Sequence, residues 1–306
     1  IGEDVKSPYG GAFKISRDLS DLWPGCVFQT PISEATLIGV GTGLAIEKFR
    51  PFVEIMFGDF LTLGFDQIVN SASKFQSMYN QKVCPNFVIR TPMGGRRGYG
   101  PTHSQSLEKH FLGVPGLRVL MMNPLLDAFS FLDALLTSSS GPNLLIENKA
   151  NYGLSFLPLL PEGFKVFRSN HDVPHAAVVP DGRTKHVSLV SSAGMLAESL
   201  KAVEVLFRRH EIICQILCPS QLYPFRVEEL QPWITEAPRV LFLEEGPGFS
   251  SSSSECLSQM GELGWPQQGR RLTAMDSVIP SARHLEAQII PDAEAIVASV
   301  TSWLKR

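Results

Sequence analysis

Disulfide chemistry is what this sequence is least equipped for. Its five cysteines, Cys26, Cys84, Cys214, Cys218 and Cys256, are odd in number and nowhere spaced Cys-x-x-Cys. A disulfide framework and the usual structural zinc patterns are therefore excluded. The expected compartment is the cytoplasm, or an organelle matrix in a eukaryote, with the thiols buried and inert. No apolar run reaches the roughly 18 residues needed to span a bilayer, and no signal-peptide pattern is present. An excess of one charge is also missing. With 27 Lys and Arg against 30 Asp and Glu, the net charge is −3, which gives no electrostatic case for nucleic acid or an anionic membrane. What is present is ordinary globular composition. The 306 residues are 44% hydrophobic and 19% charged, enough for about two domains with a sizeable core. The abrupt opening at Ile1-Gly2-Glu3 leads us to expect a further element before it.

Strand-like and helix-like runs alternate along the first half. Residues 27–30, 51–56, 86–90, 117–122 and 144–147 read as strands. Residues 33–47 read as a helix with Ser33 as N-cap, and 60–79 as one long amphipathic helix. Residues 125–137 form the helix between the last two strands. Gly39, Gly41 and Gly43 inside the first helix each cost about 1 kcal/mol against alanine, a cost that close backbone packing would offset. Residues 91–102 read as loop, being rich in glycine and proline. The alternation predicts an α/β fold of two doubly wound, mostly parallel-sheet domains. The first spans 1–151. A proline-containing linker follows at 152–185, and the second domain covers 186–306. In that domain 186–191, 211–217 and 240–244 read as strands, and 195–209 and 292–304 as helices. The serine run 250–254 is a solvated loop or a helix start.

Three segments of the first half stand out together. In Thr30-Pro31-Ile32-Ser33-Glu34-Ala35, a glutamate sits at a strand-to-helix turn, where open α/β sheets place ligands. Taken alone it is a first-turn carboxylate of the kind the helix dipole favours. The segment from Phe52 to Phe60 includes Met56 and aromatics that core packing alone would explain. The third runs from Arg90 through Gly94-Gly95-Arg96-Arg97-Gly98 to His103-Ser104-Gln105. Its histidine is either a surface group or an imidazole that a loop delivers to a cleft.

In this order and spacing, the three segments resemble the β subunits of pyruvate and branched-chain 2-oxo acid dehydrogenases, the E1 component. Gly2-Glu3-Asp4-Val5, Val114-Pro115-Gly116-Leu117, Leu145-Ile146-Glu147-Asn148-Lys149 and Leu243-Glu244-Glu245-Gly246-Pro247 extend the resemblance along the chain. It implies a transketolase-like pyrimidine-binding domain followed by a transketolase C-terminal-like domain, with thiamine diphosphate and Mg²⁺ as cofactors. Glu34 matches the glutamate that hydrogen-bonds the pyrimidine N1′ and lets the 4′-amino group act as a base. Phe60 matches the aromatic packed on the aminopyrimidine. Met56 lies on the same approach, and Glu3 matches a glutamate lining the cleft. His103 matches the active-site histidine that assists the 2-oxo acid or the acyl acceptor.

Family enzymes hold Mg²⁺ and diphosphate through a Gly-Asp-Gly motif followed by an asparagine. Here Gly58-Asp59 is followed by Phe60, so no metal ligand is assigned to this chain. The resemblance places that site on an α subunit, in an α₂β₂ heterotetramer, with a lipoyl acyltransferase as a further partner. Other departures bear on the reaction. Arg96 and Arg97 stand where relatives carry small residues, and either pair with a substrate carboxylate or phosphate or are solvated. The turn Ser138-Ser139-Ser140-Gly141-Pro142 lacks the aspartate that goes with a structural K⁺ in relatives. The C-terminal docking motifs have drifted. The reading is therefore a decarboxylating dehydrogenase subunit that passes an acyl group to a lipoyl carrier. The alternatives are a non-oxidative, acyloin-forming carboligase and a non-catalytic regulatory homologue. The last has no need to retain Glu34, Phe60 and His103 together.

Overall fold

The computed structural model describes residues 1–137, 141–154 and 159–305, and the serines of the 138–142 turn lie outside them. Among the described residues, thirteen strands form two sheets. The first contains β1 (Gly2–Glu3), β2 (Gln29–Thr30), β3 (Phe52–Glu54), β4 (Val88–Met93), β5 (Arg118–Met121) and β6 (Asn143–Asn148). The second contains β7 (Phe164–Arg168), β8 (Ala176–Pro180), β9 (Val187–Ser191), β10 (Cys214–Cys218), β12 (Arg239–Pro247) and β13 (Gln268–Ala274). The short β11 (Gln221–Tyr223) leaves the second half of the chain and closes the first sheet, antiparallel to β5. The first sheet runs β11-β5-β6-β4-β3-β1-β2 and the second β13-β12-β9-β10-β8-β7. Pairing is parallel apart from β11, β8 and β7. The β4, β8, β9 and β10 strands are buried throughout, as expected of a sheet covered on both faces.

Several boundaries depart from the sequence reading. The expected linker 152–185 carries β7 and β8, a hairpin along the edge of the second sheet. Of the prolines that had argued against regular structure there, Pro161 and Pro174 lie outside both strands and Pro180 is the last residue of β8. β4 continues to Met93 through what read as loop. β3 ends opposite Arg90, so Pro92 has β6 on one side and lacks only a donor that β3 would not have received.

The expected single helix at 60–79 is three pieces: a 3-10 segment Gly58–Gly64, a π-helical segment Gln67–Ala72 and an α turn Phe75–Met78. Two side chains draw on its backbone there, since the Ser73 hydroxyl and the Lys74 amine both donate to the Val69 carbonyl, at 2.9 and 3.0 Å. Such competition unsettles a regular helix. Ser33 precedes the Glu34–Ile46 helix without capping it, because its hydroxyl donates to Thr36 Oγ1 at 2.8 Å. The serine run starts the Ser252–Glu262 helix, with the Glu244 carboxylate accepting from the Ser253 amide at 2.7 Å.

Among the thiols, Cys214, Cys218 and Cys256 are buried, and burial pushes each up to about 12. Cys26 is exposed and Cys84 half-buried, so the expectation of inert burial fails for those two. No helix among the described residues is long and apolar enough to cross a membrane.

Gly116, in the turn before β5, has φ of +83°, and a Cβ there would overlap the Ser73 carbonyl oxygen. Gly116→Ala is expected to cost at least ~1–2 kcal/mol of stability, from the left-handed backbone alone. An unchanged urea midpoint would contradict it.

Candidate active site

The segments singled out in the sequence leave the carboxyl ends of neighbouring parallel strands: β1, β2, β3, β4 and β6. Such ends gather ligand-binding groups in open α/β sheets. β1 ends on Glu3, and β2 leads into Ser33 and Glu34. Both carboxylates are buried. Glu3 Oε1 accepts the Ser33 amide at 2.9 Å, which places the two acids at the amino end of a 13-residue helix, where negative charge is favoured. Burial, and then the charge of Glu34 beside it, hold the Glu3 carboxyl above its usual range.

β3 leads into the 3-10 segment that carries the aromatics. That segment lies against the Glu34–Ile46 helix closely enough that a Cβ on Gly64 would sit 3.4 Å from the Glu34 carbonyl oxygen. The rings of Phe57 and Phe60 meet edge to face, with centroids 5.9 Å apart. The His103 imidazole stands edge-on to both, at 4.8 Å from Phe57 and 5.2 Å from Phe60. Phe13 and Tyr99 widen this wall from the other side of Phe57, at 5.8 and 6.2 Å. Met56 is half-buried next to Phe57. Asp59 Oδ1 accepts from Gln105 Nε2 at 2.8 Å, tying the aromatic segment to the loop that carries His103.

That loop, residues 94–105, is held by the second half of the chain. Glu245 Oε1 accepts the Gly95 amide at 2.9 Å, and Glu286 accepts the amides of Arg96 and Gly98 at 2.9 and 2.8 Å. Glu245 also accepts from the Asn148 side-chain amide. Gly94 has φ of +95° and no room for a side chain beside those two groups.

The arginines that the sequence offered to a substrate are half-buried and make bonds within the chain itself. Arg96 donates to the Pro291 carbonyl at 2.5 Å and lies 3.8 Å from Glu245. Arg97 donates to the carbonyls of Lys149 and Tyr152 at 2.7 and 3.1 Å. Their partners come from distant parts of the chain, which composition could not show.

Sequence reasoning also missed the groups beneath the site. Arg90 makes a two-bond fork to Glu147, at 2.8 and 2.6 Å, and bonds Glu54 at 2.7 Å. Tyr152 donates to Glu147 at 2.6 Å. Lys149 is fully buried and donates to the His103 carbonyl. The signal was there: charged residues inside or at the ends of apolar strands are rarely buried without partners.

Among the described residues, His171, His175 and Glu229 have metal-ligand spacing. The Ser220 amide donates to His175 Nδ1 at 3.2 Å, so the ring proton is on Nε2, which donates to Glu229 at 3.0 Å. A metal on Nε2 would turn an Nδ1–H toward that amide N–H, so the trio is read as a hydrogen-bonded clasp.

Chemically, the site offers a buried carboxylate pair able to bond a protonated heteroaromatic nitrogen, flat aromatic faces, and a half-exposed imidazole. That set suits an aminopyrimidine. The two arginines of the loop are bonded to the chain's own backbone carbonyls.

Comparison with known proteins agrees with the architecture. The transketolase pyrimidine-binding domain model matches residues 1–155, and the transketolase C-terminal domain model matches residues 176–296. The chain is 31% identical to the pyruvate dehydrogenase E1 component subunit beta-1, mitochondrial, of Oryza sativa subsp. japonica, over 97% of this chain and 79% of that one. It is 29% identical to the pyruvate dehydrogenase E1 component subunit beta of Leifsonia xyli, covering 98% and 87%. A solved split-gene transketolase, described as an inactive beta4 tetramer, superposes with a TM-score of 0.70 at 21% identity, covering 94% of this chain and 86% of that one.

Proposed function

The chain belongs to the transketolase-type family of E1 β subunits, and from that premise we propose that it is the pyrimidine-binding half of a thiamine-diphosphate enzyme that decarboxylates a 2-oxo acid. The observation that carries this is the buried Glu34–Glu3 pair at a helix head, on the same strand-end side of the sheet as the Phe57–Phe60–His103 wall. Glu34 would hold the pyrimidine ring of the cofactor, accepting a hydrogen bond from its ring nitrogen. Glu3, its carboxyl held above the usual range by burial and then by the charge of Glu34, lies beside it at the helix head. Phe60 orients the ring, and Met56 borders it. His103, on its loop, gives and takes protons at the reacting carbonyl or the acyl acceptor. When bound, thiamine diphosphate would supply the nucleophilic carbon.

Mg²⁺ and the diphosphate are held by a partner α subunit, in an α₂β₂ assembly, and the acyl group passes to a lipoyl carrier on an acyltransferase. The carboligating alternative leans on Arg96 and Arg97 as anion receptors and on the drifted C-terminal docking motifs, and the bonds that both arginines make within the chain weigh against the first of these.

Calorimetry tests the split site. The chain alone is expected to bind thiamine diphosphate poorly, and a purified α/β mixture to bind it with Mg²⁺. Tight binding by the isolated chain would refute the division of labour. The reconstituted pair, given 2-oxo acids and either a free lipoyl domain or aldehydes, is expected to yield acylated lipoyl domain by mass spectrometry. Acyloin as the sole product would replace this reading with the carboligating one.

A further inference from the structure

We propose that Lys149 is a positioning residue: its buried amine fixes the loop that presents His103, and the fixing is lost when that amine gives up its proton. The proposal rests on the site reading above and adds to it a control on the histidine.

Lys149 follows β6 directly, and its side chain is fully buried. It grips the loop of residues 94–105 at two points. Its carbonyl accepts from the Arg97 guanidinium at 3.2 and 2.7 Å. Its Nζ donates to the backbone carbonyl of His103. The same ammonium lies over the Phe57 ring at 5.1 Å and near the Tyr99 ring at 5.8 Å. Phe57 is also the ring against which the His103 imidazole packs. One amine thus fixes the histidine twice, through its main chain and through the aromatic that orients its ring. A charge-assisted bond is about twice as strong as a neutral one, and cation–π attraction requires the charge. The grip therefore belongs to the ammonium form.

Burial lowers the Lys149 amine to about 8, against the pull of Asp59, Glu245 and Glu286, with Arg97 pushing in the same direction as burial. Those four groups come from the aromatic segment, β12, the Arg283–Ile289 helix and the loop itself, so the amine titrates among fixed charges. The sign of the linkage is distinctive. From pH about 8 to the ordinary lysine value of 10.5, the unfolded chain holds a proton that the folded chain has released. This group's contribution to global stability therefore rises with pH, while order in the loop falls. A lysine that merely filled space would not separate the two.

The test is hydrogen exchange by mass spectrometry on the full chain, free and paired with its α subunit, together with turnover of the pair. In Lys149→Met the amides of residues 99–104 are expected to exchange at least ~10-fold faster, with those of β4 unchanged. The kcat should fall by at least ~10-fold, with a smaller change in KM. Lys149→Arg keeps a charge that cannot titrate in this range. It is expected to restore loop protection and to remove the midpoint near pH 8 from the activity profile. Should Lys149→Met fail to fold, the unmutated chain answers the question: exchange of the 99–104 amides, corrected for intrinsic rate, must rise through about pH 8 while that of β4 does not. Unchanged loop protection in Lys149→Met, or no pH dependence confined to the loop, would overturn the proposal. If the loop responds but no preparation shows thiamine-dependent turnover, the site reading fails and the role of Lys149 stands.

Discussion

Glu34→Gln in the reconstituted α/β pair is expected to lower turnover, and exchange of the cofactor's C2 proton, by at least ~10²-fold, the scale of one positioned acid–base group. The substitution keeps size and helix propensity, so fold and assembly should survive. What it removes is the charge at the head of the Glu34–Ile46 helix. An amide in that place satisfies a neutral ring nitrogen but does not stabilise a protonated one. Glu3 is a poor substitute, because burial, the larger of the two causes that hold its carboxyl above the usual range, persists in the mutant. Removing the Glu34 charge also relieves Glu3, which should titrate closer to its ordinary value in the mutant. Binding of the cofactor to the pair should weaken far less than turnover, since the proposed split site leaves the diphosphate and metal contacts to the other subunit. C2 exchange at the wild-type rate would show that Glu34 does not face the pyrimidine nitrogen.

The second large effect is on stability. Arg90 stands between two carboxylates, with its own side chain and those of Glu54 and Glu147 only 10%, 9% and 13% exposed. Arg90→Met removes the cation and leaves both acids in a poorly solvated pocket. Breaking a buried pair from one side costs about 3–5 kcal/mol, a large part of a domain's total stability. Burial already raises the Glu54 carboxyl, and Arg90 is the chief opposing influence. Without it the folded-state value climbs further. An acid whose folded value lies above its unfolded one binds more protons in the native state. Stability in the mutant should therefore recover as pH falls from 7 toward 5 and be lost again as pH rises. Urea denaturation of both proteins across that range measures this directly. A deficit that stays constant with pH would mean that the acids are solvated in the mutant. Adding Glu54→Gln and Glu147→Gln should return part of the lost stability at neutral pH.

The sequence made part of the site legible because that part is local. Glu34 lies four residues after a strand end and His103 just after a glycine-rich stretch, so each announces itself within a dozen residues. The rest was hidden because its causes lie far off in the chain. Arg96 and Arg97 look like free cations until Pro291, Glu245 and the carbonyl of Lys149 are brought beside them. The 60–79 stretch has helical periodicity. Its winding is set by what Ser73 and Lys74 do to the Val69 carbonyl and by how closely Gly64 lies on the first helix. The 152–185 stretch looks like a linker because of its prolines, and nothing local says that β7 and β8 will form between and beside them as an antiparallel hairpin.

One strand carries a consequence for how the protein is made. β11 pairs Gln221 with Leu120 and Tyr223 with Val119, so the first sheet is finished by residues synthesised about a hundred positions later. Until residue 223 has left the ribosome, β5 offers a bare edge with its Arg118–Met121 backbone unpaired on one side. Exposed edges of nascent sheets invite pairing with other chains, and contacts this distant in sequence are slow to form. A stop or a pause ahead of that point releases an intermediate that carries most of the site residues but has an open, adhesive flank. Production of this chain should therefore depend on elongation rate and chaperone supply.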